Sequence, residues 1–249
     1  MSLPIYYGSH ETLSYKETFH LKKHLKRTPF QHFQHFLLDP AILTPVNLDC
    51  TNCKLVHPVS CCEEGQPFSM TKQQEQVLES HAIPIIKKYL TSAHLHEATT
   101  NGFLEQVSSQ ADVQNIKKCQ GNCFFLAGNL FTIHQYAEHE KIEADELKPF
   151  SCSLFPLDII QYQQSIIITS LTRKTASFSR WGEEYKDYIC INRSLRQGLP
   201  FQVDQLTEVE NVPFSVEDYK PAWSWNKELL QKHFGIELIR FIESLSSQH

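Results

Sequence analysis

This sequence predicts an α+β fold, on three observations. Stretches with a 3.6-residue apolar period occur near both ends, and two pairs of short β-branched or aromatic runs fill the middle. Thiols crowd the irregular segments between them. No internal repeat, low-complexity tract or linker divides the chain. The expectation is therefore one domain over residues 1–249, with irregular Cys-rich loops, two β-hairpins and flanking helices. Its metal-binding motif region covers 48–160 and a C-terminal helix covers 226–247.

In chain order, residues 9–37 read as helical, with Leu21, Leu25, Phe33 and Leu37 near one face and Pro29 interrupting the run. Lys22, Lys23, Lys26 and Arg27 cluster there with His20 and His24, as a solvated helix face does. The pairs His20/His24 and His32/His35 have helical spacing, but no third ligand is fixed beside either. Asp39-Pro40 and Pro45 lead by a loop into the first cysteines. Glu63-Glu64-Gly65-Gln66-Pro67 is turn chemistry, and Thr71-x-x-Gln74 reads as a capping box. The helix it opens carries Leu78, Ala82, Ile85, Ile86 and Tyr89, with a kink or restart at Pro84. His94-Leu95-His96 at its end would chelate only on extended backbone.

From Cys123 the period changes. Cys123–Leu126 and Leu130–Ile133 read as a hairpin with a three-residue loop, Ala127-Gly128-Asn129. A short helix over His134–Ile142 follows. Leu154–Ile160 and Ser165–Leu171 form a second strand pair, with Pro156 making its start irregular. Trp181–Ile191 is aromatic and mixed, and residues 199–222 read as an extended connection. The closing helix presents Leu230, Phe234, Leu238, Ile242 and Leu245 on one face.

Composition bounds the function. A chain of 249 residues, 41% hydrophobic and 20% charged, has the balance of a soluble globular protein. Its net charge of −5 gives no reason to expect a nucleic-acid partner. The start, Met1-Ser2-Leu3-Pro4, lacks the basic and apolar regions of a secretory signal, and no apolar run could span a bilayer. The expected location is cytoplasmic, with no membrane partner. The glycines form no G-x-G, no phosphate-cradling G-x4-G-K-[ST] and no G-x-S-x-G, so no cofactor-binding loop or nucleophile elbow is present. His139-Glu140-Lys141-Ile142-Glu143 falls one histidine short of a zinc-protease helix. No catalytic residue is assigned, and whether the chain is an enzyme stays open.

Eight cysteines remain, and four lie within 13 residues: Cys50-x2-Cys53, then Cys61-Cys62. A C-x2-C turn can aim two sulfurs at one centre, as zinc and iron–sulfur sites need, whereas side chains of adjacent cysteines diverge. Cys119-x3-Cys123 brackets a tight Gln-Gly-Asn turn that could bring both thiols to one point. Cys152 sits between Pro149 and Pro156 in irregular backbone, and Cys190 closes the aromatic stretch. In a reducing compartment such a set argues for metal rather than disulfides. All eight (Cys50, Cys53, Cys61, Cys62, Cys119, Cys123, Cys152 and Cys190) are candidate ligands. Replacement of Cys50, Cys53, Cys62, Cys123 or Cys152 by serine is expected to cost metal, and replacement of Cys190 to cost least. Removing the metal is expected to destabilise the region from Cys50 to Cys152.

The pattern Cys50-x2-Cys53…Cys61-Cys62, Cys123-Phe-Phe-Leu, Ile133-His134 and Lys148-Pro-Phe-Ser-Cys152-Ser-Leu-Phe-Pro-Leu-Asp158 resembles the bacterial CxxCxxCC cysteine-cluster family, whose members chelate zinc or iron. The similarity spans residues 48–160 and is closest to a branch with a K-P-x-S-C-x-L-F-P stretch. A related cluster occurs in flagellin lysine N-methylases. Two departures stand out. Seven residues separate Cys53 from Cys61, more than the family's usual gap. Phe131 occupies a position where the family tends to have cysteine, which Cys119 or Cys190 would fill. The resemblance implies a chelated centre. An iron–sulfur cluster is preferred over zinc, because there are more thiols than one zinc requires. Three functions compete: a metal or cluster protein with a possible redox role, a methyl or group transferase acting on a protein or peptide, and an interaction module with structural zinc and a protein partner.

Overall fold

The computed structural model describes residues 3–8, 11–50, 53, 57, 60, 63, 69–70, 72–106, 114–128, 130–198 and 214–247. The fold is mixed α+β. Contacts divide the chain, expected as one domain, into two compact units. One comprises Met1–Tyr6, Thr12–His57 and Pro156–His249, the other Tyr7–Glu11 and Pro58–Phe155. Among the described residues, no helix is long and apolar enough to cross a membrane.

The first unit is built on the strand pair that β-branched density predicts. Leu157–Tyr162 and Ser165–Ser170 run antiparallel, from Leu157 opposite Ser170 to Tyr162 opposite Ser165, with Gln163 in the left-handed region at φ 57° in the turn. Phe36–Leu38 lies parallel to Ser165–Ser170, Gln31–Phe33 pairs beyond it, and Ile5–Tyr6 adds to Leu157–Tyr162 on the opposite side. Ile160 and Ile167, directly opposite one another, pack with Tyr6, Phe178 and Leu21 of the helix Tyr15–Leu25. Phe36 and Phe33 instead meet the C-terminal helices, with ring centroids 5.5 Å from Phe234 and 4.8 Å from Phe241 respectively.

Two expectations are corrected here. Residues 31–38 are a hairpin, not helix: Phe33 faces Phe36 across a turn whose Gln34 has φ 52°. The helix ends at Leu25, and pairing with Ser165–Ser170 decides the conformation after Pro29 over the helical spacing of Phe33 and Leu37. The i,i+3 relation of His32 and His35 is lost with it. The closing helix is two, Lys227–Phe234 and Ile236–Ser246, because Gly235 at φ 87° ends the first.

The first helix is capped by Ser14, whose hydroxyl accepts from Glu17 N while the Glu17 carboxylate accepts from Ser14 N. Lys22, Lys23 and His24 occupy its last turn, where cations complement the helix dipole. His24 is not half of a chelating pair with His20. Its Nε2 is 2.6 Å from Asp39 Oδ2, which also accepts from Thr169 Oγ1 at 2.8 Å. Asp39 Oδ1 accepts from Ala41 N and so caps the 3-10 turn Pro40–Leu43.

The second unit packs the helix Lys72–Tyr89 through Leu78, Ala82, Ile85 and Ile86 against Phe124, Phe125, Ile133 and Ala137. Pro84 lies inside this helix without ending it, and Thr71 lies outside the described residues. His94 and His96 belong to the helix Ser92–Asn101, which rules out the extended H-x-H geometry. The expected hairpin at Cys123 is two separate ribbons. Lys118–Cys119 pairs with Asn122–Cys123, and Leu126–Ala127 pairs with Leu130–Phe131, leaving two turn residues rather than three. The helix Thr132–Glu140 follows and stops at Lys141, φ 58°. Cys152, read as lying in irregular backbone, is in the short helix Phe150–Leu154 after Pro149.

Candidate metal centre

Six of the eight candidate cysteines lie among the described residues, and all six are thiols rather than disulfides. The first unit holds Cys50, Cys53 and Cys190; the second holds Cys119, Cys123 and Cys152. Cys61 and Cys62 lie outside the described residues.

In the first unit, the segment Asn47–His57 is fastened at both ends to the stretch Tyr188–Cys190. Asn47 N donates to the carbonyl of Cys190 at 2.8 Å. At the other end the His57 imidazole stacks on the Tyr188 ring, with centroids 4.4 Å apart and 20° between the planes. Cys190 lies in the 3-10 turn Ile189–Ile191, which puts its side chain in the interior. Burial raises its thiol pKa well above the usual value, and the neighbouring Cys53 and Cys50 thiols raise it further. Cys50 is exposed and Cys53 half-buried. The sequence ranks Cys190 last among the ligands, whereas the fold brings it into the electrostatic neighbourhood of the C-x2-C pair. Tyr219 closes the far side: its hydroxyl donates to the Ile189 carbonyl at 2.7 Å, and burial, then Cys190, hold its pKa above normal.

His57, at the end of this segment, is a residue that sequence reasoning did not single out. It is 5% exposed, and its Nε2 has no hydrogen-bond partner among the described residues. Leaving such a nitrogen buried and unpaired costs roughly 1–3 kcal/mol. Burial lowers its pKa to about 4, so the ring is neutral at physiological pH. A signal was available: Cys50-x2-Cys53-x3-His57 puts a histidine one turn beyond the knuckle. The backbone confirms that turn, with His57 N donating to the Cys53 carbonyl at 2.9 Å.

The second unit arranges its thiols differently. Cys119 lies opposite Asn122 and Cys123 opposite Lys118, around a turn with Gln120 at φ 54° and Gly121 at φ 90°. Residues opposite one another share a face and neighbours along a strand alternate, so the two thiols leave alternate faces of the ribbon. The tight turn expected between them is present, but it does not aim both sulfurs at one point. Cys152 is set by Phe150, whose ring occupies the space above Gly8; a Cβ there would lie 2.2 Å from Phe150 Cδ1. Nearby in sequence, Ser60 and Glu63 exchange reciprocal hydrogen bonds, Ser60 N to Glu63 Oε2 at 2.7 Å and Glu63 N to Ser60 Oγ at 3.3 Å. This is a capping box, and Glu63 is helical rather than part of the expected turn.

Among the described residues, no three His, Cys, Asp or Glu side chains stand close enough to hold an ion as placed. The donor chemistry nevertheless suits a soft or borderline cation: thiols that become thiolates on metal binding, and a neutral imidazole. No family model matches this chain, and no curated protein or solved structure matches it either.

Proposed function

We propose that this protein is a cytoplasmic metal-binding protein that holds its centre through cysteine thiolates. An iron–sulfur cluster is the preferred occupant and zinc the alternative. The observation carrying this reading is the tethering of the segment that bears Cys50 and Cys53 to the distant turn that bears Cys190, through the Asn47 N to Cys190 O bond and the His57–Tyr188 stack. Burial and the neighbouring thiols hold Cys190 in its protonated form, and a bound cation reverses that preference by stabilising the thiolates. The resemblance to the CxxCxxCC family points the same way.

Chelation also suits the fold's economy. A coordinated ion couples the ordering of the segment that bears Cys50 and Cys53 to folding. The test is anaerobic purification of the full chain, followed by iron, acid-labile sulfide and zinc analysis and an absorption spectrum. Coloured protein with iron and sulfide is the expected result. Colourless protein with stoichiometric zinc keeps thiolate ligation and replaces the cluster, and metal-free protein that takes up neither overturns the reading.

A further inference from the structure

We propose that His57 is a metal ligand, joining Cys50, Cys53 and Cys190 in a three-thiolate, one-imidazole set in the first unit. The proposal rests on the thiolate reading above and names a donor which that reading does not contain.

Four observations carry it. The His57 side chain is 5% exposed while its Nε2 has no hydrogen-bond partner among the described residues, a state that buried histidines in well-packed cores seldom keep. The i to i+4 hydrogen bond from His57 N to Cys53 O places the two side chains on the same side of one helical turn. The stack on Tyr188 engages the face of the imidazole and leaves the in-plane nitrogen lone pair unused. Finally, Asn47 and His57 bind the same short stretch, Tyr188–Cys190, from the two ends of their segment, so the histidine approaches the turn that carries the third thiol, Cys190.

Three thiolates and one neutral imidazole supply four protein donors, the number that either a small iron–sulfur cluster or a tetrahedral divalent cation of the zinc type takes. The Tyr188 ring then does for His57 what outer-sphere groups do for metal-bound histidines, fixing the plane of the ring. Because the donors do not converge as placed, loading draws Cys50 and Cys53 in towards Cys190 and His57. Each thiol releases its proton to solvent as its sulfur binds, and no electron is transferred.

The test compares full-length wild type, His57→Phe, His57→Cys and Cys53→Ser, each stripped with chelator and reloaded anaerobically with Co2+ and then Zn2+. His57→Phe keeps an aromatic ring against Tyr188 and removes the nitrogen. Its metal-free form is expected to melt no lower than metal-free wild type, while its Zn2+ affinity falls by about a hundredfold or more, beyond the usual loss of an outer-sphere partner. His57→Cys is expected to regain binding, with Co2+ bands shifted by the added thiolate. Wild-type affinity and Co2+ spectrum in His57→Phe, with binding lost in Cys53→Ser, overturn the inference alone. Wild type that takes up no metal overturns the thiolate reading and this inference with it.

Discussion

The imidazole of His57 lies nearly parallel to the ring of Tyr188, at a centroid distance of 4.4 Å. This stack and the Asn47 N to Cys190 O bond both fasten the cysteine-bearing segment to the turn that carries Cys190. Replacing Tyr188 by alanine removes the aromatic pair and part of the wall around His57. The expected cost is about 1–2 kcal/mol in the metal-free protein, from the lost ring pairing and apolar contact. Urea denaturation checks it: an unchanged midpoint would show that the stack contributes nothing.

Cys190 makes a sharper prediction. Sequence position alone ranks it as the most dispensable thiol, but its placement beside Cys50 and Cys53 reverses that order. Cys190→Ser is expected to lose as much metal as Cys53→Ser, measured as metal per chain after anaerobic purification. Retention of full metal by Cys190→Ser would remove it from the centre and leave Cys50 and Cys53 to find partners elsewhere.

Gly8 is placed by its neighbour Phe150. It has φ +75°, and a Cβ would fall 2.2 Å from Phe150 Cδ1. Gly8→Ala therefore incurs a left-handed backbone penalty of roughly 1–2 kcal/mol before any clash is counted. The ring must also shift, and with it the short helix that bears Cys152. A lowered melting temperature is expected, together with greater reactivity of Cys152 towards a thiol reagent. A variant melting like wild type would mean that Phe150 yields freely.

Asp158 is buried, and among the described residues neither of its carboxylate oxygens has a hydrogen-bond partner of good geometry. Burial raises its pKa from 3.8 to about 6, although Ser179 and Arg180 act in the opposite direction. A raised carboxyl pKa means that the folded state binds the proton more tightly than the unfolded state. Stability from this group is therefore present below pH 3.8 and is lost as pH rises to about 6. Asp158→Asn is expected to stabilise the protein at pH 7.5 by about 3 kcal/mol and to change little at pH 3.5. Thermal melts at the two pH values decide the matter, and equal shifts at both would contradict it.

Much of the architecture was legible where one physical signal dominated. The run Ile166-Ile167-Ile168-Thr169 is β-branched throughout and its strand was legible, whereas its partner is Leu157–Tyr162 rather than Leu154–Ile160, because Leu154 closes a short helix and the turn between the strands is only two residues long. The helix through Leu78, Ala82, Ile85 and Ile86 shows its buried stripe directly. Reading failed where a local pattern was decided by distant pairing. Phe33 and Leu37 have helical spacing, yet Phe36–Leu38 is claimed by a strand far along the chain, which single-sequence periodicity cannot register. Gly235 interrupts an apolar stripe that otherwise runs through, because the requirement for positive φ there leaves no mark on hydrophobic spacing. At the candidate centre the C-x2-C pair was legible and the Cys190 neighbourhood was not. His57 was passed over because the histidines weighed as ligands were those paired with one another, His20/His24, His32/His35 and His94/His96, although its spacing from Cys53 was in plain view.

The sheet of the first unit has a further consequence for how the chain is made. Phe36–Leu38 is held by Ser165–Ser170, and Asn47 is held by Cys190. On the ribosome these early segments emerge long before their partners are synthesised, and residues 58–155, which belong to the other unit, are translated in between. The N-terminal hairpin and the Cys50–Cys53 segment must therefore wait, incompletely templated, for most of translation. For that interval the thiols at positions 50 and 53 stand without the turn that fastens their segment, and the buried thiol at position 190 joins them only as the structure closes.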